Sequence, residues 1–246
     1  MILVTGGDGF LGSHVVYKLI EEGHRVRVFL QPERETDVLR EMQVDRVYGD
    51  LLNITDVADA CRGCKGIIHT AASTQVWPPR SRWIWAMNYD VVQRLSDMVL
   101  DYKMDFMVHI GSANSFGPGT MEHPGTEESS FTDHVYGLDY IDSKRKAQDY
   151  LLYSHRENGL PVKIVNPTFM LGPNANDPGP GSGGVIISMY EGKISHYPDG
   201  GGNYVHVRDV AEAAVHAISK GNMGECYIAG NKNLSYREIY RIMADI

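Results

Sequence analysis

The chain has 246 residues, 43% hydrophobic and 22% charged, with a formal net charge of −8. That length can bury a full core, in one large α/β unit or one and a half domains, and the acidic balance argues against a nucleic-acid surface. The apolar runs, such as residues 26–30 and 66–72, are too short to span a bilayer, and the amino terminus reads as a strand instead of a signal peptide, so the expected compartment is the cytoplasm.

The first thirteen residues read MILVTGGDGFLGS. Ile2, Leu3 and Val4 form an apolar run, and Gly6, Gly7, Gly9 and Gly12 follow at once. Val15, Val16, Leu19 and Ile20 then recur at helical spacing until Gly23. Strand, tight turn and helix bring backbone N–H groups and a helix N-terminus to one point, where a phosphate can sit. Gly7, Gly9 and Gly12 satisfy G-x-G-x-x-G, a weak pattern alone that gains weight from this context.

Strands and helices alternate from there. Residues 25–30 read as a strand, 46–48 as a second, 55–61 as a weak helix and 66–72 as a third strand. A long amphipathic helix is expected over 85–102, a strand over 105–110, a helix over 137–158 and a strand over 162–165. This order predicts a doubly wound parallel sheet with helices on both faces. Residues 172–184, rich in Gly, Pro and Asn, read as a loop leaving the sheet. The chain is expected to return for a strand at 204–207, a helix at 210–219 and a strand at 225–229. Ser235 with Glu238 reads as a capping box opening one more helix. The expected division is a dinucleotide-type domain over 1–170 and 204–230, with 171–203 and 231–246 forming a smaller substrate-binding part. Three cysteines suit reducing conditions, and Cys61 with Cys64 reads as two small residues at a helix end, since no metal or redox partners are supplied.

Two further signals carry chemistry. Tyr140 and Lys144 lie four apart on the expected helix, so phenol and ammonium share a face. A nearby ammonium lowers a phenol pKa, which suits proton exchange with a carbonyl/alcohol pair. The alternative is a surface pair on an ordinary helix. Ser112 follows the strand at 105–110, at the sheet edge where ligands bind, and its hydroxyl suits a substrate oxygen. The alternative is a serine in a plain strand-to-loop turn. No metal site is expected.

TGGDGFLG, Ser112-x-x-x-x-Gly117 and Tyr140-x-x-x-Lys144 together resemble the extended short-chain dehydrogenase/reductase family. Gly49-Asp50-Leu51, His69-Thr70-Ala71-Ala72, Asn88, Asn166-Pro167-Thr168 and His206-Val207-Arg208-Asp209-Val210 extend the likeness to about residue 240. NPTFMLGP and NYVHVRDVAEA are most similar to its dihydroflavonol-reductase-like branch. The resemblance implies an NAD(P)-dependent oxidoreductase with Tyr140 as acid/base, Lys144 on the nicotinamide ribose and Ser112 on the substrate oxygen. It implies a cofactor site from Gly6, Gly9, Phe10, Leu11, Gly12, Asp50, Leu51, Ala71, Ala72, Asn166 and Pro167, with Asp50 at the adenine. It also implies a homodimer through the helices at 85–102 and 137–158, with Val91, Leu95, Met98, Tyr150 and Leu151 in the seam or buried against their own sheet. Members of the family usually run on through further substrate-domain helices, so the substrate-binding part over 171–203 and 231–246 is expected to be incomplete at the C-terminal side.

After the second strand stands Leu30-Gln31-Pro32-Glu33-Arg34. An acid there would hold ribose hydroxyls, whereas an arginine suits a 2′-phosphate. Arg34 therefore favours NADP, with NAD as the alternative. Gly111-Ser112-Ala113-Asn114 carries no carboxylate, which disfavours a dehydratase. Gly202 stands where related epimerases carry a diphosphate-binding arginine. The expected substrate is a mid-sized, largely apolar ketone or aldehyde without a nucleotide. The competing readings are a nucleotide-sugar epimerase and a non-catalytic NAD(P)-sensing protein.

Overall fold

The structure, a computed structural model, describes residues 1–32, 37–173, 184, 187–188, 191–194 and 196–244. In chain order the main elements are β1 Ile2–Thr5, α1 Phe10–Glu21, β2 Val26–Leu30, β3 Asp45–Tyr48, α2 Ile54–Cys61, β4 Gly66–His69, α3 Arg82–Trp85, α4 Val91–Asp101, β5 Phe106–Ile110, α5 Asp139–Asn158, β6 Val162–Pro167, β7 Phe169–Leu171, β8 Gly201–His206, α6 Val207–Lys220, β9 Cys226–Ala229, β10 Lys232–Ser235 and α7 Tyr236–Ala244.

Seven strands form a parallel sheet in the order β3-β2-β1-β4-β5-β6-β9. The order reverses between β1 and β4, where Ile2 pairs Val26 on one side and Gly66 on the other. A parallel sheet is covered on both faces, so its strands read as near-continuous apolar runs. Ile2 and Val4 join Val15, Val16, Leu19, Val210 and Ala214 on the α1–α6 face. Leu3, Ile67 and Met107 join Leu95, Leu151 and Ile164 on the opposite face. This is the expected doubly wound α/β architecture.

Four local readings are corrected. The strand expected at 66–72 stops at His69. The helix expected at 85–102 starts at Arg82 and passes through a π turn, Ala86–Asp90, before α4. The helix expected from residue 210 starts at Val207, because the His206 ring caps it by accepting the Arg208 N–H at 3.2 Å. The strand near 204 does not rejoin the large sheet. β8 pairs with β7 in parallel and β10 in antiparallel, forming a second three-stranded sheet. α6 and β9 then return to the first sheet. Most of the loop read at 172–184 lies outside the described residues. The capping box is present: the Ser235 N–H donates to Glu238 Oε2 at 2.8 Å and the Glu238 N–H to Ser235 Oγ at 3.2 Å. Cys61 and Cys64 are buried free thiols, and burial pushes Cys61 up to about 12, which fits packing.

Candidate active site

The turn after β1 opens a cavity of about 1510 Å³ at the C-terminal edge of the large sheet. Gly6 takes a left-handed φ of +69°, and a Cβ on Gly12 would lie 1.9 Å from the Gly6 carbonyl oxygen, so only glycine lets helix and turn close. α1 begins at Gly9 without a side-chain cap and without an acid in its first turn. The helix start thus carries no capping side chain, and Phe10, Leu11 and Gly12 line the cavity.

α5 brings Tyr140 and Lys144 to the same cavity. Tyr140, Lys144 and Ser112 all line it. Lys144 is 3% exposed, and its Nζ donates to the Ile110 carbonyl at 3.0 Å. Burial alone pulls its pKa from 10.5 to about 8. Burial pushes the Tyr140 phenol up, and a hydrogen bond with the Ser112 side chain pulls the other way. The expectation that Lys144 lowers the phenol is thus corrected: desolvation wins, and Tyr140 keeps its proton at neutral pH. Ser112 Oγ also accepts the Asn114 N–H at 3.2 Å.

Beneath Lys144, His69 and His109 stack with centroids 5.4 Å apart, each 1% exposed. His69 Nδ1 meets the Thr5 hydroxyl at 2.6 Å. Burial, then the Lys144 charge, depresses both, so the pair stays neutral and adds no second cation under the lysine.

Most of the other expected site residues meet in this cavity: Gly6, Gly9, Asp50, Leu51, Ala71, Ala72 and Pro167 line it. Asn166 does not. It is fully buried, and its Oδ1 accepts the Ser112 backbone N–H at 2.9 Å. Arg34 lies outside the described residues. Asn88, carried by the π turn, was legible only as part of a motif. Its Nδ2 donates to the Ser73 carbonyl at 3.0 Å and to Ser143 Oγ at 3.2 Å, tying the loop after β4 to α5. Met121, Phe169, Met170 and Tyr236 form apolar wall that sequence reading did not single out. Among the described residues lining the cavity, Lys144 is the only lysine or arginine.

The NAD dependent epimerase/dehydratase family matches residues 2–230. The chain belongs to that family. As a member it is an NAD(P)-dependent enzyme of the extended short-chain dehydrogenase/reductase type. It is 28% identical over 248 residues to a Synechocystis sp. protein assigned as a dihydroflavonol 4-reductase, spanning 99% of this chain and 71% of that one. It is 28% identical over 247 residues to sterol demethylase protein B of Methylococcus capsulatus, spanning 99% and 74%. The crystal structure of gox2253 superposes with a TM-score of 0.92 at 30% identity, covering 100% of this chain and 74% of that one. The residues present fit the family's cofactor: an uncapped helix start for a diphosphate, a carboxylate at Asp50 and a roomy cavity between them. No described helix is long and apolar enough to cross a membrane.

Of the five residues expected at a dimer seam, Val91, Leu95 and Leu151 are fully buried within the one chain. They belong to its own core, which leaves Met98 and Tyr150 of that set partly exposed.

Proposed function

We propose that this enzyme reduces a mid-sized, largely apolar ketone or aldehyde, with Ser112, Tyr140 and Lys144 as its catalytic residues. The observation that carries the reading is that Ser112, Tyr140 and Lys144, the last two one turn apart on α5, line the same cavity as the uncapped start of α1. When bound, the reduced nicotinamide supplies the hydride. The Asn114 N–H occupies one Ser112 lone pair, leaving the Ser112 hydroxyl proton to donate to the substrate oxygen. Tyr140, kept protonated by burial, gives that oxygen its proton. Lys144 holds the ribose hydroxyls and stabilises the phenolate that forms. Phe10, Leu11 and Gly12 hold the diphosphate through their N–H groups, with Gly6 and Gly9 shaping the turn; Asp50 and Leu51 hold the adenine, and Ala71, Ala72 and Pro167 flank the nicotinamide. In this reading the seven-stranded sheet carries the cofactor and the three-stranded sheet the substrate wall.

The absence of an arginine among the described lining residues supports a substrate without a diphosphate over the epimerase reading. An intact Ser112–Tyr140–Lys144 set supports chemistry over mere nucleotide sensing. The preference for NADP rests on Gln31 and Arg34. Arg34→Ala should raise KM for NADPH and spare NADH; equal responses would end that assignment. A homodimer remains part of the proposal, and a monomer mass in light scattering at micromolar concentration would count against it.

The test of substrate class is a thermal-shift panel with NADPH present, comparing UDP- and dTDP-sugars with aromatic and aliphatic ketones, followed by NADPH oxidation. Stabilisation and turnover with the ketones are expected. Stabilisation by the nucleotide sugars alone would overturn the reductase reading in favour of the epimerase.

A further inference from the structure

The direction of the Ser112 hydroxyl depends on one short turn, residues 112–116. Its own closure is slight: the Ser115 N–H donates to the Ser112 carbonyl at 2.9 Å and the Phe116 N–H to the Ala113 carbonyl at 3.1 Å. A single 3₁₀ turn has little stability by itself. Two side chains from other elements grip it from the side away from the cavity.

The first is Asn166, at the end of β6, whose Oδ1 accepts the Ser112 N–H at 2.9 Å. The approach exists because residue 111 is glycine: a Cβ there would lie 2.1 Å from that same oxygen. The second is Arg145, whose Nη1 donates to the Ser115 carbonyl at 3.0 Å. Its guanidinium is held in turn by Asp149, 2.9 Å from Nε, and by the Phe131 ring, 5.4 Å away at the centroid. Arg145 follows Tyr140 by five positions, about 140° around the helix at ~100° per residue. So α5 presents Tyr140 and Lys144 to the cavity and Arg145 to the back of the turn. Arg145 lines a separate groove of about 1310 Å³ together with Phe131 and Cys226. Phe116 lines groove and cavity both, so the clamped turn is the wall between them.

We infer that Arg145 and Asn166 are positioning residues, a two-point clamp that holds the 112–116 turn from behind and thereby aims the Ser112 hydroxyl at the oxygen that Tyr140 protonates. This rests on the reading of Ser112 as the donor to the substrate oxygen. A misplacement of about 1 Å at a reacting group can cost ~10²-fold in rate, so the clamp is worth a measurable part of turnover without touching substrate.

Arg145 is the practical target, because it is partly exposed and its loss leaves the core intact. Arg145→Met, Arg145→Lys, Ser112→Ala and the double variant Ser112→Ala/Arg145→Met are compared, with NADPH and trans-cinnamaldehyde as probes. Hydrogen exchange of the cofactor-free protein is followed over residues 108–117. Arg145→Met should speed exchange over 111–116 and leave residues 2–12 unchanged. It should lower kcat about tenfold or more with KM for NADPH within about twofold, and Arg145→Lys should restore part of the loss. In the Ser112→Ala background the same change should cost nothing further. Unchanged exchange at 111–116, or an equal loss in both backgrounds, would overturn the clamp while leaving Ser112 in place. Wild-type turnover in Ser112→Ala would instead overturn the reading of Ser112, and the aiming role with it. The exchange measurement decides whether Arg145 holds the turn even if the probe aldehyde is not turned over.

Discussion

The two ends of the cavity are made of different material. At the β1–α1 end the wall is largely backbone: glycines and the start of an uncapped helix, set on strands buried on both faces. At the far end it is side chains, including Met121, Phe169, Met170 and Tyr236, borne on a loop, a three-residue strand, and the start of a short helix beside the small second sheet. Backbone recognition needs a fixed fold and tolerates almost no substitution. Side-chain recognition can be rewritten one residue at a time. Each end should therefore respond to mutation in its own way.

Where the two ends meet, the effect should be largest. Tyr140→Phe removes the proton donor while keeping the ring. Turnover should fall by roughly 10²–10⁴-fold, with NADPH affinity nearly unchanged in a fluorescence titration. Unchanged turnover would remove Tyr140 from the mechanism and leave the meeting point without an acid.

Lys144 should separate function from stability. Its pKa falls from 10.5 to about 8 through burial, so below pH 8 the folded cofactor-free chain carries a charge it has desolvated. Between pH 8 and 10.5 the unfolded chain stays protonated while the folded one loses its proton, so stability rises with pH across that window. Lys144→Met should abolish that rise. At pH 7 it should stabilise the cofactor-free protein by up to about 3 kcal/mol, at ~1.4 kcal/mol per pKa unit, while lowering both turnover and cofactor affinity. Urea melts at pH 7 and pH 10 check the first claim. A loss of turnover with intact cofactor binding would contradict the ribose contact.

The same asymmetry governs what could be read from sequence. The β1–α1 end was legible because its physics is local: buried strands give apolar runs, and a tight turn into a closely packed helix needs glycines at fixed spacing. Tyr140 and Lys144 were legible because helical periodicity alone puts them on one face. The second sheet was not. β7 has three residues directly after a Pro-Thr step, and β8 begins in a glycine run that reads as loop. Yet Gly201 is what allows that pairing, since a Cβ there would sit 2.4 Å from the Leu234 carbonyl oxygen of β10. Asn166 was legible as a residue of interest but misplaced, because its partner, the Ser112 N–H, lies 54 positions away. The direction of the Tyr140 pKa also went astray, since helical spacing shows the neighbouring charge and hides the desolvation.

Within the cofactor end, Gly12→Ala tests whether close approach or glycine content matters. The added Cβ would lie 1.9 Å from the Gly6 carbonyl oxygen, so the turn must move. Overpacking of this kind costs about 1–3 kcal/mol, which corresponds to roughly 5–150-fold in cofactor affinity if it falls on the bound state. The far wall does not feel the turn, so an apolar ketone tested at saturating NADPH should keep its KM within about twofold. A raised ketone KM in Gly12→Ala would mean that the two ends are coupled.

The smallest effect should come from the substrate wall. Phe169 is 40% exposed and lines the cavity, with its ring 5.4 Å from that of Tyr204 in an edge-on contact. A phenylalanine offers on the order of 150–250 Å² of surface, so a ligand can cover roughly 70 Å² of it. At ~25 cal/mol per Å² that is just under 2 kcal/mol, or somewhat more than tenfold in KM at most, and less if the ligand covers only part of the ring. Phe169→Ala should therefore raise the KM of an aromatic ketone by several-fold, leave that of a short aliphatic ketone nearly unchanged, and leave NADPH affinity alone. Half of the ring's role is internal, against Tyr204, so a small drop in Tm should accompany the change. Equal effects on both ketones would show that Phe169 supports the second sheet without touching the substrate. A loss of NADPH affinity would break the division between a backbone-built cofactor end and a side-chain-built substrate end.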